Sequence, residues 1–435
     1  MLKGIENIGS IPELQRKVGW TLFLLFIYRI GIHVPTPGID GQALAAFFSE
    51  AKGTLLGMFD MFSGGGLSRL SVFSLGIMPY ISASIILELL TMVVPKLERL
   101  KKEGDAGHRK IVSYTRYGTI LLSVVQSFGI AVGLESMQGP AGEMVVMYPG
   151  WGFRLLTVIT LTSGTAFIMW IGEQITERGI GNGISLIIFA GIVARMPAAI
   201  INSIRLIKTG EMSLFIMLAI LVMMAAVVAI IVFVETGQRR IPIQYAKRVV
   251  GRKMYGGQST HLPIKVNTAG VIPPIFASSI IMFPATIASF IDLPIMKKIS
   301  ALFVPSSITY NVFYVALIFV FCYFYTAVTF KPDDVADNLK KYGGYVPGIR
   351  PGKKTAEYID RVLTRLTFWG AVYVSIVCVL PMLFIGKFNV PFYFGGTALL
   401  IVVGVGIDTI QQIQSHLIVR NYDGLMKKGA RSGRR

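Results

Sequence analysis

Residue types that usually carry out catalysis are sparse in this sequence. The two cysteines, Cys322 and Cys378, both lie inside apolar segments, so neither a disulfide framework nor a thiolate metal site is expected. The four histidines share no helical ligand spacing, and neither a Ser/His pair nor paired aspartates stand on facing apolar segments. The sequence therefore predicts no enzyme activity, no cofactor and no metal site.

Two glycine-rich stretches have the composition of phosphate-binding loops but not their spacing. In Gly348–Thr355 the two glycines stand too close together for a P-loop, and Lys354 occupies the place of the required hydroxyl residue. Gly179–Gly183 lacks the spacing of a dinucleotide motif and has no strand before it, so we expect a tight turn there. Nucleotide binding is not predicted.

Long apolar segments make up most of the chain. Of its 435 residues, 53% are apolar and 15% are charged, whereas an ordinary soluble protein has about 25% charged residues. Apolar stretches of roughly membrane length lie near 19–34, 72–93, 113–134, 152–171, 180–199, 212–234, 268–290, 309–330, 366–385 and 394–415. The sequence predicts an all-α integral membrane protein with ten transmembrane helices.

The net charge of +19 is explained by topology. If the N-terminus is cytosolic, most of the 42 Lys and Arg residues fall in cytosolic segments, as the positive-inside rule requires. Two long cytosolic loops, 236–267 and 331–365, also contain β-branched runs and turn signals that predict ordered hairpins. Their basic residues either anchor this topology or bind an acidic or RNA-rich partner.

Few ionisable residues lie inside the predicted spans. The candidates for an ion or proton pathway are Arg29, Glu88 and Asp408, fewer than a proton-driven carrier normally needs. A secondary transporter of a small solute is therefore the weaker alternative. The apolar patch Leu55–Gly66 is too short to cross a membrane and ends in three glycines, so it predicts a re-entrant half-helix followed by a flexible joint.

Seven motifs, spread in order over nearly the whole chain, are more specific than composition. They are MFSGGG at 61–66, LGIMPYISAS at 75–84, KKEG at 101–104, WIGEQITERGIGNGIS at 170–185, QSTHLP at 258–263, VPGIRPG at 346–352 and VPFYFGGT at 390–397. Together they resemble the bacterial branch of the SecY family, the pore subunits of the general protein-translocation channel.

The resemblance implies two inverted halves of five spans each around an hourglass pore. It divides the chain into a cytosolic amphipathic segment at 1–18, an N-terminal half at 19–199, a C-terminal half at 200–415 and a basic cytosolic tail at 416–435. It implies a passive channel of the Sec pathway in the bacterial cytoplasmic (inner) membrane, with both termini cytosolic. Such a channel translocates secretory polypeptides and releases membrane proteins sideways into the lipid bilayer.

The resemblance also assigns site residues. It implies a pore ring of Ile77, Ile81, Ile184, Ile188, Ile275 and Ile401. It implies a plug that includes Phe59, Asp60, Met61, Phe62, Ser63, Gly64 and Gly65. Ile77 and Ile81 are four residues apart, so they occupy one helix face, and so do Ile184 and Ile188. Without the resemblance, these isoleucines read as lipid-facing or core residues.

A lateral gate and a partner surface complete what the resemblance implies. The gate positions are Ser82, Gln126, Ser278 and Phe283, although ordinary helix packing explains the serines equally well. The cytosolic binding residues are Arg239, Arg240, Arg252, Lys253 and Arg350, with the ribosome and the SecA motor ATPase as partners. Signal sequences, nascent polypeptides and the small membrane subunits SecE and SecG are the other expected partners.

Overall fold

The computed structural model describes residues 12–50, 57, 60, 63–137, 144–210, 213–245, 248–250, 253–255, 259–290, 307–388 and 396–432. Its helices are α1 (Pro12–Gly31), α2 (Gly41–Glu50), α3 (Met78–Val93), α4 (Pro95–Lys102), α5 (Asp105–Ser136), α6 (Trp151–Arg178), α7 (Gly183–Val193), α8 (Met196–Lys208), α9 (Leu214–Thr236), α10 (Ile272–Phe290), α11 (Ile308–Thr329), α12 (Pro332–Lys341), α13 (Lys353–Phe388) and α14 (Gly396–Ser432). Its strands are β1 (Gln238–Tyr245), β2 (Arg248–Val250), β3 (Lys253–Tyr255), β4 (Ser259–Lys265) and β5 (Gly344–Tyr345).

Most of the predicted spans coincide with helices that are long and apolar enough to cross a membrane. Within the described residues these helices are Asp105–Glu135, Trp151–Arg178, Gly183–Lys208, Leu214–Thr236, Ile308–Lys341, Lys353–Pro381 and Gly396–Leu417. An eighth span results if α3 and α4, which are bent by 99°, count as one. The bend lies at Val94, whose extended backbone is the conformation that the following Pro95 favours.

The two remaining predicted spans, 19–34 and 268–290, fall on α1 and α10. Charged residues at both ends of α1 reduce its hydropathy, and the apolar stretch described in α10 is short, Ile272–Ile281. The chain is thus an all-α, multi-pass membrane protein, and the count of ten spans stays a prediction.

The chain forms two compact units. The first unit comprises Met1–Thr209, Ser279–Tyr310 and Ile401–Arg435, and the second comprises Gly210–Ser278 and Asn311–Leu400. The first boundary lies in the turn after α8, close to the predicted division at 199/200. The second unit, however, excludes 279–310 and everything from 401 onward, so the division into two sequential halves also stays a prediction.

A small antiparallel sheet in the second unit joins the two basic loops. Strand β1 pairs with β4 along its length, and its last two residues pair with β5, which gives the order β4-β1-β5. Side chains below the sheet form a hydrophobic cluster that consists of Ile241, Ile264, Val346, Ile359 and Leu363. The hairpin predicted in loop 236–267 is therefore present. The hairpin predicted in loop 331–365 is wrong, because that loop forms α12 and the single strand β5.

The start of α12 explains this difference. Pro332 occupies the first helical position, and Asp333 and Asp334 follow in the first turn. Proline lacks the N–H group that would be unpaired there, and acidic side chains interact favourably with the positive end of the helix dipole. These local signals favour a helix over a hairpin.

In the first unit, the non-helical segment Ser63–Ile77 packs closely against α1 and α6 at two glycines. A Cβ atom on Gly31 would stand 2.0 Å from the ring of Phe73, and one on Gly164 would stand 1.9 Å from the carbonyl oxygen of Val72. The ring of Phe73 also stacks on that of Tyr28, at 6.0 Å between centroids. Only glycine allows the segment this close approach to both helices.

The turn between α6 and α7 is held by side chains from three helices. The N–H group of Ile180 donates to Oγ1 of Thr21 in α1 at 3.1 Å, and that of Gly181 donates to Oε1 of Gln412 in α14 at 2.8 Å. At the start of α7, the N–H group of Gly183 donates to Oγ1 of Thr176 in α6. The α7 helix therefore begins at a fixed point.

We expect Gly164→Ala to lower the thermal unfolding midpoint of the detergent-solubilised protein. The added methyl group meets a backbone carbonyl, and such overpacking costs about 1–3 kcal/mol. Gly152→Ala is the matched control, because this glycine lies in the first turn of the same helix and has no atom within 4 Å of the added Cβ. Equal midpoints for the two variants would show that the segment Ser63–Ile77 moves away from the added methyl group without loss of stability.

Candidate functional site

Asp60 and the turn from Ser63 to Ser68 are held by polar contacts in the first unit. The Asp60 side chain is only 4% exposed, and its Oδ2 lies 2.9 Å from Nη2 of Arg195. Its Oδ1 accepts a hydrogen bond from the N–H group of Ser68 at 2.7 Å. Arg29 of α1 donates from Nη1 to the carbonyl oxygen of Gly64 at 3.1 Å. Both oxygens of this buried carboxylate therefore have partners.

The predicted glycine joint is a close-packed turn. Gly64 and Gly65 have φ angles of +70° and +91°, which strongly favour glycine. A Cβ atom on Gly64 would stand 3.0 Å from the Cα atom of Gly191 in α7. Of the predicted plug residues, Phe59, Met61 and Phe62 lie outside the described residues.

The predicted ring residues are mostly enclosed. Ile77, the residue before α3, is 1% exposed, and Ile81 in the first turn of α3 is 5% exposed. In α7, Ile188 is buried, whereas Ile184 is half-buried and lies near Gly172 of α6. The remaining two, Ile275 in α10 and Ile401 in α14, are buried as well. Such burial fits a closed seal, but it also fits ordinary core packing.

The predicted gate residues differ in how well their polar groups are satisfied. Oγ of Ser278 donates to the carbonyl oxygen of Ile275 in its own helix, at 2.9 Å. Oε1 of buried Gln126 in α5 has no hydrogen-bond partner among the described residues. Ser82 in α3 is half-buried. Phe283 belongs to α10, but its side chain lies outside the described residues.

One polar contact that the sequence did not predict joins α10 to α3 in the first unit. Oγ of Ser279 lies 3.9 Å from Sδ of Met78, and both side chains are buried. A thioether sulfur is a weak acceptor, so this contact contributes little to holding the two helices together. Ser278 and Ser279 are adjacent, so the sequence does not indicate which of them contacts α3.

The predicted partner residues belong to the second unit and stand around its small sheet. Arg239 and Arg240 in β1 are exposed, and so is Arg350, which lies between β5 and α13. The carbonyl oxygen of Arg350 accepts a hydrogen bond from Oγ1 of Thr355, which fixes the backbone next to this side chain. Arg252 and the side chain of Lys253 lie outside the described residues.

Arg195 is the main residue that the sequence reasoning missed. It stands at the break between α7 and α8, where its charge counted only toward topology. A lone cation at a helix break and a lone carboxylate on an apolar segment are each costly inside a membrane. Because each charge is costly when it is unpaired, the sequence could have indicated that Asp60 pairs with Arg195. Among the described residues there is also no cluster of three His, Cys, Asp or Glu side chains that could bind a metal ion.

Comparison with known proteins decides which family these features belong to. A family described as SecY matches residues 71–410. The protein translocase subunit SecY of Escherichia coli strain K12 is 52% identical over 429 residues, which covers 98% of this chain and 96% of the relative. The chain belongs to the SecY family. The predicted resemblance to bacterial SecY is thereby confirmed.

Solved SecY-family structures share the fold. A SecY channel whose plug domain is described as stabilising the closed state and maintaining a membrane seal matches with a TM-score of 0.63 and 17% identity. That match covers 94% of this chain and 96% of the other. Sec61 in a canine ribosome-channel complex matches with a TM-score of 0.60 and 16% identity, over 94% and 96% of the two chains. At these identities, the likeness shows the all-α SecY fold.

We expect Ile81→Asn combined with Ile188→Asn to increase ion leak through resting proteoliposomes about tenfold or more. Each buried isoleucine contributes about 1.5–3 kcal/mol of apolar burial, and about 1.4 kcal/mol corresponds to a tenfold change in rate. Ion flux in the absence of any polypeptide is the measurement. The double leucine variant is the control, because it keeps the site apolar. Unchanged leak in the asparagine variant would remove these two residues from the ring.

Proposed function

We propose that this chain is the passive protein-conducting channel of a bacterial protein translocase. It translocates secretory polypeptides across the cytoplasmic (inner) membrane and releases membrane proteins sideways into the lipid bilayer. The observation that carries this proposal is membership of the SecY family over nearly the whole chain. A secondary transporter of a small solute would need polar groups at a midplane site, where this chain has isoleucines.

The resting channel is sealed by its ring and its plug. Six isoleucines, Ile77, Ile81, Ile184, Ile188, Ile275 and Ile401, offer water no hydrogen-bond partner, so ions meet a dewetted constriction. The same ring deforms around a passing side chain, because apolar contacts have no preferred direction. The plug at 59–65 covers the outer side of the ring until a polypeptide displaces it. Five of these six residues are buried and Ile184 is half-buried, which is compatible with a closed state.

The lateral gate opens because few strong contacts keep it closed. Interhelical polar contacts in membranes are modest, about 0.6 kcal/mol on average. The gate-side contact of Ser279 with Met78 is weaker than a typical hydrogen bond, and Ser278 is satisfied within its own helix. Partitioning of an apolar signal sequence of about ten residues exceeds such contacts in free energy. Recognition of the signal sequence and gate opening are thus one event.

The basic surface of the second unit binds the partners that supply the driving force. Its exposed arginines, Arg239, Arg240 and Arg350, suit the phosphates of ribosomal RNA or an acidic face of the SecA motor ATPase. The shared fold with Sec61 in a ribosome-channel complex supports the ribosome as a partner. The chain itself is a channel subunit and not an enzyme. The small membrane subunits SecE and SecG complete the complex.

The orientation follows from the same charges. Both termini and both basic loops face the cytosol, as the positive-inside rule requires. The small sheet then stands on the cytosolic side of the membrane.

The decisive test of the function is purification followed by reconstitution. We expect two small membrane subunits to co-purify with the tagged chain. Proteoliposomes that contain this complex should then protect a preprotein from protease when SecA and ATP are added. A version of the preprotein without its signal sequence is the control. Uptake of a small solute without protection of the preprotein would favour the transporter instead.

We expect Arg350→Glu to weaken binding of SecA or ribosomes about tenfold and to slow translocation. The substitution reverses an exposed charge of the basic surface, and complementary charges mainly control association. Lys208→Glu is the control, because it makes the same charge change at an exposed position on the predicted outer side. Partner binding can be measured by flotation with proteoliposomes at two salt concentrations. Equal loss in both variants would show that Arg350 has no specific role.

A further inference from the structure

Asp60 is the carboxylate in a group of charges that is otherwise positive. Arg195 pairs with it directly, and Arg29 donates to the backbone at Gly64. Arg69 directly follows Ser68, whose N–H group donates to the Asp60 carboxylate, so a third arginine belongs to the same segment. One buried carboxylate therefore offsets part of the charge of three arginines. Removing it leaves a cluster of like charges and breaks the ion pair that joins Asp60 to Arg195.

The partner of Asp60 stands just beyond the helix that carries two of the proposed ring residues. Arg195 follows the last residue of α7 by two positions, and Ile184 and Ile188 lie in the same helix. Gly191 brings α7 within van der Waals contact of Gly64, which sets the distance that the ion pair bridges. Because α7 is short and regular, a displacement of Ile188 by a passing polypeptide also moves Arg195. Widening of the ring and breaking of the ion pair are therefore mechanically joined.

We propose that Asp60 and Arg195 form an electrostatic latch that holds Asp60 and the turn at Gly64 against the end of α7 in the resting channel. This inference rests on the proposed function, and it assigns the regulation of that same site. The latch opens when α7 moves, and Asp60 then exchanges Arg195 for water. The Arg195 side chain is 38% exposed while that of Asp60 is 4% exposed. Replacement of Arg195 by water therefore changes the solvent exposure of the carboxylate far more than that of the arginine.

The latch predicts that neutralising either member opens the resting channel. Asp60→Asn keeps an oxygen that can accept from the N–H group of Ser68, while it removes the charge and the oxygen that faces Arg195. Arg195→Gln removes the charge of the partner. We expect each variant to increase ion leak through resting proteoliposomes about tenfold, since breaking a buried pair is costly and the exposure of Arg195 reduces that cost. Arg195→Lys keeps a positive charge, so its leak should stay closer to that of the unsubstituted chain.

Two comparisons make the test specific. The double variant Asp60→Asn with Arg195→Gln should leak no more than either single variant, because the two residues act as one pair. Arg69→Gln is the matched control, since it removes a charge from the same cluster without removing a contact to Asp60. We expect its leak to equal that of the unsubstituted chain. Additive effects in the double variant, or equal leak in Arg69→Gln and Asp60→Asn, would overturn the latch.

Failure of the latch can be distinguished from failure of the proposed function. The same proteoliposomes are assayed for protection of a preprotein, and retention of the two small subunits and an unchanged unfolding midpoint verify folding. If the unsubstituted complex protects the preprotein but neither single variant leaks, the channel stands and the latch is wrong. If the unsubstituted complex does not protect the preprotein, the proposed function itself is wrong.

Discussion

A hydrocarbon bilayer offers no hydrogen-bond partner to a peptide group, and this constraint governs where the chain can leave the helix. In the segment that leads to α3, the N–H group of Thr36 donates to the carbonyl oxygen of Leu70, and that of Val72 donates to the carbonyl oxygen of Val34. The carbonyl oxygen of Gly64 accepts from a guanidinium group instead. Irregular backbone at membrane depth is therefore allowed only where other parts of the protein satisfy it.

The same constraint explains why the sheet is confined to the basic loops. Strands β1 and β4 leave edges that need water or a further strand, and such edges cannot stand in lipid. One of these edges is partly covered by β5 from the other basic loop. As a result, two loops that are far apart in sequence present their arginines on one small domain. A partner then meets a single rigid surface and not two independent tails.

Prediction from the sequence succeeded where one property, such as hydropathy, decides the structure of a long stretch of the chain. Hydropathy identified eight of the predicted spans as long apolar helices, or pairs of helices, and the motifs identified the family. It failed where the outcome depends on contacts between distant residues. No local pattern links Asp60 with Arg195, or Gln412 with the backbone of Gly181. The second basic loop was misjudged because its turn signals suggested a hairpin, whereas Pro332 and the acidic first turn favoured a helix.

For the ring, neither sequence nor burial is sufficient alone. Ile77, Ile81 and Ile188 are enclosed as a closed seal requires, yet a core residue would be enclosed to the same degree. The assignment comes from the family resemblance, and only a measurement of leak separates the two roles. Ser278 shows the opposite situation. Its hydroxyl group is satisfied by its own helix, so the neighbouring Ser279 is the better candidate for a contact across the gate.

The fixed turn at the start of α7 makes this helix a lever with a known pivot. The backbone at Ile180, Gly181 and Gly183 is tied to α1, α14 and α6, so movement has to begin beyond it. With a rise of about 1.5 Å per residue, Arg195 lies roughly 18 Å from the pivot and Ile188 roughly 7 Å. A swing of about 10° therefore moves Ile188 by only about 1 Å but Arg195 by about 3 Å. A small widening at the proposed ring is thus amplified into a displacement of Arg195 that is as long as a hydrogen bond.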